Sequence, residues 1–123
     1  MITGIGVDIV QIDRMERWLD NKNLLERFFH PDELITAASR KNSESQVLAA
    51  RFAAKEAFGK ALGTGLKQIV LKDIMVYNND MGKPEIKLFN TALLAFEKSG
   101  ASKAHLSLSH EKENAIAMIV LEV

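Results

Sequence analysis

Two carboxylates and a lysine have the residue types and spacing to bind a phosphate ester together with a metal ion. Asp8 lies inside the apolar run Ile5–Val10, where a carboxylate is costly to bury unless it is paired, hydrogen-bonded or bound to a metal. Glu56 and Lys60 are four residues apart and therefore share one face of a helix. Because two carboxylates with phosphate oxygens and waters commonly hold Mg²⁺, the set suggests a nucleotide or other phosphoester substrate and a phosphoryl-type transfer.

Each of these residues also has a purely structural explanation. Asp8 could end its strand in solvent or beside an arginine. Glu56 and Lys60 could form a solvated ion pair, which would contribute only about 0.3–0.5 kcal/mol. Gly4 and Gly6 lack side chains, so a ligand could approach the backbone beside Asp8. The residue types alone leave the catalytic and the structural interpretation open.

Further residues of the same helix, and the turn after it, could contribute to a phosphate site. Arg51 and Lys55 form a second pair spaced by four residues. With Lys60 they could face phosphates, or they could form a solvated basic stripe. Gly63-Thr64-Gly65 follows the helix, and loops of this kind expose backbone N–H groups that hold oxyanions. The turn is not a Walker A sequence, so it does not specify a phosphate by itself.

A histidine at the end of an alternating strand is the third candidate. His110 has the same orientation in the strand as Leu106 and Leu108, which places it at the edge of the core face. A structural histidine is the alternative interpretation. His105 points to the opposite side, so the two histidines are poor partners for one metal ion.

The elements that must position these residues predict an α+β fold, in which an antiparallel sheet packs against one long helix and several short helices. The N-terminal strand is expected to be largely buried. The long helix is alanine-rich, with Ser43 and Gln46 spaced as a capping box and glycines at its end. The other predicted strands span residues 69–77, 84–88, 104–110 and 115–123. Of the short helices, the first is predicted to start with a capping box of Asp13 and Glu16, and the second to span Leu24–Phe29. The third is predicted to begin at Pro31, and the fourth to span Thr91–Lys98 with Asn90 as its cap.

The composition fits one globular domain over residues 1–123. Hydrophobic residues make up 47% and charged residues 26%, which is typical of globular chains and not of disordered or fibrous ones. Sixteen Lys and Arg balance sixteen Asp and Glu, so a broad nucleic-acid-binding surface is not expected. Cysteine is absent, which excludes disulfides, thiolate catalysis and Cys-ligated zinc. No apolar run approaches the ~20 residues that span a bilayer, and we expect a cytoplasmic protein.

Four segments resemble the holo-[acyl-carrier-protein] synthase family, the small 4′-phosphopantetheinyl transferases of bacterial fatty-acid synthesis. They are GIGVDIV at 4–10, RFAAKEAFGKALGTG at 51–65, NDMGKP at 79–84 and HLSLSHE at 105–111. The helix segment is highly specific, and the resemblance covers most of the chain. It implies transfer of the 4′-phosphopantetheine arm from coenzyme A to a serine of apo-acyl carrier protein, with release of adenosine 3′,5′-bisphosphate.

The resemblance also implies roles for individual residues. Asp8 and Glu56 match the residues that hold Mg²⁺ with the pyrophosphate, and Lys60 matches a lysine that neutralises phosphate charge. For the base that activates the serine we favour a metal-bound water or hydroxide, with Glu56 as the second choice. By similarity, the coenzyme A groove is expected to involve Arg51, Lys60, Gly63, Thr64, Gly65, Lys83, Pro84, Ser109 and His110.

The family further implies a homotrimer with active sites between subunits, which would explain the alanine-rich helix if a neighbour packs on it. The acidic carrier protein needs a basic docking surface, and an ordinary solvated helix surface is the alternative interpretation of the candidate residues. These candidates are Arg14, Arg17, Lys22 and Arg27.

Two residues fit the family pattern less well. His30 stands where a Ser or Thr helix cap is expected, so no role is carried over to Asp32 or Glu33. Gly59 lies inside the helix, where close approach of coenzyme A or of a neighbouring strand would explain it.

The alternative functions are a Mg²⁺-dependent nucleotide phosphohydrolase and a non-enzymatic module that binds nucleotide or coenzyme A.

Overall fold

The computed structural model describes all 123 residues, which form five strands and five α-helices. The strands are β1 Ile2–Gln11, β2 Ile74–Asn78, β3 Pro84–Leu88, β4 Lys103–His110 and β5 Asn114–Glu122. The helices are α1 Ile12–Trp18, α2 Lys22–Phe28, α3 Pro31–Ser39, α4 Glu44–Leu62 and α5 Asn90–Lys98, with a 3₁₀ turn at Leu71–Asp73. None of these helices has both the length and the apolar character needed to cross a lipid bilayer.

The strands pair antiparallel, which confirms the predicted α+β class, but they form two sheets. β5 lies between β1 and β4, and β2 pairs with β3 alone. In the larger sheet, Asp8 of β1 lies opposite Ala117 of β5, which lies opposite Leu108 of β4. Asp8 therefore belongs to an edge strand of the larger sheet.

Helix α4 packs directly on the larger sheet, and two glycines of β1 make the contact close. A Cβ at Gly4 would lie 2.0 Å from the carbonyl oxygen of Ala61, and a Cβ at Gly6 would lie 2.0 Å from that of Ala57. Neither glycine tolerates a side chain unless the helix moves. These glycines therefore admit a helix backbone, and the expectation that they leave room for a ligand beside Asp8 is wrong.

The alanines of α4 serve this same internal contact. Ala53, Ala54 and Ala57 have no exposed surface within the protomer. Their small side chains let the helix approach the sheet, so the expectation that they pack under a neighbouring subunit is wrong. Gly59 has a local cause as well: a Cβ there would lie 2.9 Å from Gly65, because the chain after α4 folds back over it.

Strand β1 is buried on one face only, in contrast to the prediction of a largely buried strand. Gly6 and Val10 face the core, whereas the opposite face of β1 and β5 is open. The cross-strand pairs bring Val7 beside Met118 and Ile9 beside Ile116 on that open face. Its exposed apolar side chains are Ile5, Val7, Ile9, Ile116 and Met118.

Two of the predicted helix caps are not formed. Helix α1 begins at Ile12 and has no side-chain cap, so the Asp13–Glu16 capping box is wrong. The chain enters this helix directly from β1, where the Ile12 N–H donates to the carbonyl of Glu113 at 2.9 Å. Ser43 precedes α4 without a side-chain cap bond.

The segment before β2 and the start of α5 also differ from prediction. Residues 69–73 are not strand, because Leu71–Asp73 forms a 3₁₀ turn. Asp73 accepts hydrogen bonds from the backbone N–H and the hydroxyl of Thr91. Asp73 therefore takes the place of Asn90 at the start of α5, where no cap bond from the Asn90 side chain is present.

Candidate active site

Strand β1 and helix α4 bring Asp8, Glu56 and Lys60 together at the edge of their contact. Lys60 donates from Nζ to Oδ1 of Asp8 at 3.0 Å and to the carbonyl of Val7 at 3.1 Å. The Lys60 side chain is 55% exposed and that of Asp8 is 18% exposed. Lys60 therefore pairs with the strand carboxylate and not with Glu56 of its own helix. We call Asp8, Glu56 and Lys60 the carboxylate–lysine cluster.

Glu56 is the perturbed acid of this cluster. Partial burial raises the pKa of its carboxyl group, and the negative charge of Asp8 raises it further. The positive charges of Arg14 and Lys60 act in the opposite direction. Two carboxylates thus lie within electrostatic range of each other, and ionising both is costly unless more positive charge is added.

The cluster fits a divalent cation that also binds substrate oxygens. Carboxylate oxygens are the ligands that Mg²⁺ prefers, and Mg²⁺ is usually held by one or two protein carboxylates with phosphates and waters. The protein has no group of three or more His, Asp or Glu side chains that could enclose a metal by itself. Asp8 and Glu56 therefore suit an ion whose remaining ligands come from substrate and solvent.

Lys55 does not belong to the carboxylate–lysine cluster, and the prediction that it faces phosphates is wrong. Its side chain is 0% exposed and its Nζ lies 2.7 Å from Oε1 of Glu33, which is also 0% exposed. Nζ further donates to the carbonyls of Leu71 and Ile74. Burial lowers the pKa of Lys55, and the charge of Glu33 acts against that shift.

Glu33 completes this buried pair with two backbone donors. Its Oε1 accepts from the N–H of His30 at 2.9 Å, and its Oε2 accepts from the N–H of Val76 at 3.1 Å. The side chain of His30 in turn accepts from the N–H of Asp32 through Nδ1 at 3.0 Å. His30 therefore replaces a hydroxyl residue as the cap of α3, and Glu33 ties α3 to α4 and β2.

Arg51 and His110 meet at a cavity of about 280 Å³ that α4 and β4 border. Arg51 is only 4% exposed, and burial lowers the pKa of its guanidinium group. Arg40, Gln46 and Asn78 also line the cavity. Sequence reasoning missed these three because they come from separate segments with no shared motif. Two arginines and a histidine around one cavity suit an anionic group such as a phosphate.

Apart from His110, which also borders a second hollow, the remaining predicted coenzyme A residues do not line this cavity. Ser109 and His110 line a hollow of about 290 Å³ beside Ile9 on the open face of the larger sheet. Lys83 and Pro84 line another hollow of about 300 Å³ between β3 and β4. The single chain therefore does not bring all the predicted residues into one pocket.

The turn Gly63-Thr64-Gly65 ends α4. Gly63 adopts a left-handed conformation with φ of 81°, and its N–H donates to the carbonyl of Lys60. Gly65 donates to the carbonyl of Gly59 at 3.0 Å. At least these two backbone N–H groups are used inside the turn, which weakens its case as an oxyanion site.

The predicted docking cations lie on α1 and α2 in different environments. Arg17 is exposed. Lys22 pairs with Glu26 at 3.8 Å, and the guanidinium of Arg27 lies 5.9 Å from the ring centroid of Phe28.

Arg14 is more firmly placed than the other three. Its guanidinium carbon lies 5.0 Å from the ring centroid of Trp18 and 5.1 Å from that of Phe52. Arg14 also lies close enough to Glu56 for its charge to lower the pKa of that carboxyl. Of the four candidates, Arg14 is therefore the one whose charge acts on the carboxylate–lysine cluster.

The fold and the site together indicate a candidate phosphate-transfer protein. The fold is α+β with two sheets and one long helix, and the site is a cluster of two carboxylates and a lysine. The 4′-phosphopantetheinyl transferase superfamily matches the chain over residues 4–119. The chain belongs to this superfamily, as the four sequence segments predicted.

Individual relatives support the same assignment over the whole chain. A holo-[acyl-carrier-protein] synthase of Treponema denticola is 53% identical over 122 residues, which cover 99% of both chains. The crystal structure of this synthase from Neisseria meningitidis superposes with a TM-score of 0.90 at 35% identity, covering 100% of both chains. A synthase from Bacillus anthracis, in complex with CoA (3′,5′-ADP), has a TM-score of 0.83 at 41% identity and covers 99% of this chain and 97% of its own.

Proposed function

We propose that this enzyme transfers the 4′-phosphopantetheine group from coenzyme A to a serine of apo-acyl carrier protein, releasing adenosine 3′,5′-bisphosphate, for fatty-acid biosynthesis. The observation that carries the proposal is the carboxylate–lysine cluster, in a fold shared with a synthase bound to coenzyme A. The full-length relatives named holo-[acyl-carrier-protein] synthase supply the class of acceptor.

Asp8 and Glu56 would hold Mg²⁺ in this reaction. Their mutual repulsion in the protein, which contributes to the raised pKa of Glu56, supports the assignment. When bound, the ion supplies positive charge that polarises the phosphate oxygens of the substrate. Glu56 is also the second choice for the base that accepts the proton of the serine hydroxyl, since a carboxylate can act as a general base.

Lys60 would neutralise charge on the substrate phosphates. The serine oxygen forms a bond to the phosphorus that carries the pantetheine arm, while the bond from that phosphorus to the leaving phosphate oxygen breaks. Negative charge grows on that leaving oxygen as adenosine 3′,5′-bisphosphate departs. Because the Lys60 side chain is half exposed, its ammonium group can turn from Asp8 toward the substrate and stabilise this charge.

The cavity of Arg51 and His110 would bind a nucleotide phosphate, with Ser109 beside it. Lys83, Pro84 and the turn Gly63–Gly65 would contact coenzyme A across subunit boundaries. Two observations support a homotrimer with shared sites: these residues are dispersed over one protomer, and the open apolar face of the larger sheet has no cover within the protomer.

The carrier protein would dock on the basic surface of α1 and α2 that contains Arg14, Arg17, Lys22 and Arg27. Opposite charges on the two partners would steer encounter and fix orientation. Charge reversal at Arg17 should raise the KM for the carrier protein and leave coenzyme A binding unchanged. A KM unaffected at low salt would remove Arg17 from the docking surface.

The organisation as one domain over residues 1–123 and the cytoplasmic location stay predictions from the sequence.

The proposal is tested by following adenosine 3′,5′-bisphosphate by liquid chromatography with coenzyme A and Mg²⁺, with and without apo-acyl carrier protein. Release that requires the carrier protein, and that stops with EDTA, supports the transferase and its metal. Release at the same rate without the carrier protein would support the phosphohydrolase instead. A third outcome is that coenzyme A binds but no adenosine 3′,5′-bisphosphate is released, although another transferase can modify the same carrier protein. That outcome would support the non-enzymatic module.

A further inference from the structure

Arg14 is held by two aromatic rings at the junction of α1 and α4. Arg14 and Trp18 are four residues apart on α1, so their side chains share one face of the helix. The guanidinium carbon of Arg14 lies 5.0 Å from the Trp18 ring centroid and 5.1 Å from that of Phe52 on α4. Both distances are within the range of cation–π attraction. We call Trp18 and Phe52, with Arg14 between them, the arginine clamp.

The rings of the clamp are themselves fixed by packing. Trp18 meets Phe52 edge-on, with ring centroids 5.3 Å apart and an interplanar angle of 87°. Phe28 of α2 packs 5.4 Å from Trp18 and 6.0 Å from Phe52. Trp18 is half-buried whereas Arg14 is exposed, so a rigid aromatic base carries a cation that solvent and a partner can reach.

The neighbouring cations do not share this support. Arg17 has no aromatic ring within cation–π range, and Lys22 is drawn to Glu26 at 3.8 Å. An exposed arginine loses side-chain entropy when a partner fixes it, which weakens binding. Contact with ring faces uses the flat surface of the guanidinium and leaves N–H groups at its edge free for a carboxylate or phosphate.

We propose that Trp18 is a positioning residue for carrier-protein docking: with Phe52 it holds Arg14 beside the carboxylate–lysine cluster, ready to bind an acidic group of the carrier protein. The inference rests on the proposed function and extends it, because it separates one cation of the basic surface from the others. Phe52 lies one helical turn before Glu56 on α4. The clamp therefore links the docking contact to the helix that carries the reacting site.

A kinetic double-mutant cycle tests this role. A cation–π contact of ~0.5–2 kcal/mol corresponds to about a 2–30-fold change in affinity. Trp18→Leu should raise the KM for the carrier protein within that range while the KM for coenzyme A and kcat stay within twofold. Trp18→Phe keeps an aromatic face and should restore most of the carrier KM. In an Arg14→Ala background, Trp18→Leu should have no further effect on the carrier KM.

Arg17 provides the matched control for the cycle. Arg17→Ala should raise the carrier KM by the same factor with Trp18 or Leu at position 18, because no ring supports Arg17. Thermal unfolding of each variant shows whether it is folded. If Trp18→Leu unfolds the protein, Trp18→Met, Arg14→Ala and their double variant provide the same comparison, because methionine also removes the aromatic face. Equal effects of Trp18→Leu with and without Arg14 would overturn the proposal.

Trp18 also supplies a spectroscopic test, because it is the only tryptophan of the chain. Titration with a tryptophan-free apo-acyl carrier protein should change its fluorescence with a midpoint equal to the Kd for that partner. Arg14→Ala should remove or greatly reduce the change. Binding detected by calorimetry without any change in emission would contradict the proposal. Transfer by the unaltered enzyme in the same preparation distinguishes this outcome from failure of the proposed function, in which no transfer occurs at all.

Discussion

Helix α4 carries two lysines that each bind a carboxylate, and the two pairs differ in every other respect. Lys55 and Glu33 are both 0% exposed and 2.7 Å apart, and backbone groups satisfy their remaining hydrogen-bonding atoms. Lys60 and Asp8 are 3.0 Å apart at the surface, with Lys60 55% exposed. Glu56, beside the second pair, is left with a raised pKa and the charge of Asp8 nearby.

The difference separates a pair enclosed in the protein interior from a pair that a substrate could reach. A buried pair with all its partners present holds α3, α4 and the 71–76 segment in one arrangement, and it has no atom free for a ligand. The surface cluster keeps a half-exposed cation and two carboxylates that favour additional positive charge. Residue type alone does not distinguish the two pairs, since burial and hydrogen bonding decide which one can act on a substrate.

The largest effect is expected at the strand carboxylate of the carboxylate–lysine cluster. Asp8→Asn removes one negative charge and one hard-cation ligand, and it should lower the rate of transfer by at least about 1,000-fold. The protein should stay folded. Asp20→Asn, a change of the same kind at an exposed position, should keep the wild-type rate. Full activity of Asp8→Asn in a stopped assay with coenzyme A and carrier protein would remove Asp8 from the metal site.

The second effect falls on stability and belongs to the buried pair. Lys55→Met leaves Glu33 charged and unpaired in the interior, which should cost about 3–5 kcal/mol of unfolding free energy. The double variant Glu33→Gln/Lys55→Met should recover part of this loss. Equilibrium urea unfolding measures both, with the exposed Lys98→Met as a control that changes stability by less than about 0.5 kcal/mol. A loss below about 1 kcal/mol for Lys55→Met would show that the pair is not structural.

The same substitution at the other lysine should affect the reaction and spare the fold. Lys60→Met removes a cation from a solvated pair, so the expected loss of stability is below about 1 kcal/mol. The rate of transfer should fall by about 10–100-fold, because one charge-stabilising group is lost, and Lys60→Arg should restore part of it. If Lys60→Met destabilised the protein as strongly as Lys55→Met, the contrast between the two pairs would fail.

The smallest effect is a pH-dependent gain of stability at Glu56. Its folded-state pKa lies above the ordinary value for glutamate because of burial and the charge of Asp8. The ionised carboxylate therefore costs stability at neutral pH, and this cost disappears as pH falls through the folded pKa toward the unfolded value of about 4.3. Glu56→Gln should raise the Tm at pH 7–8, and the gain should vanish near pH 4. A constant gain at all pH values would contradict the assigned cause.

Sequence reasoning located the carboxylate–lysine cluster better than the buried pair. The spacing of Glu56 and Lys60, and a carboxylate at Asp8 in an apolar strand, are local features that can be recognised one at a time. The pairing of Lys55 with Glu33 joins two helices across 22 positions, and no local spacing reports it. A usable signal was present in the helix spacing, because Phe52 and Phe58 lie three residues before and after Lys55. A lysine on an apolar helix face needs a partner if it is buried.

The elements themselves were predicted where periodicity is strong, and missed where tertiary hydrogen bonds decide. The long helix and the five strand regions of the antiparallel fold follow from alternation and helix composition. The division into two sheets does not follow from the sequence pattern. Neither does the 3₁₀ turn at Leu71–Asp73, where the carbonyl of Leu71 accepts a hydrogen bond from Lys55. The glycines of β1 were recognised as unusual, but only the packed structure shows that Ala57 and Ala61 occupy the space beside them.

The most direct test of the central claim is intact-mass spectrometry of apo-acyl carrier protein after a single turnover with wild-type enzyme and with Asp8→Asn, each with coenzyme A and Mg²⁺. With the wild type, the carrier protein should gain one phosphopantetheine group. It should gain none when EDTA is added before the reaction, and none with Asp8→Asn. An unmodified carrier protein with folded wild-type enzyme, or equal modification by both enzymes, would contradict the assignment of transfer to the carboxylate–lysine cluster.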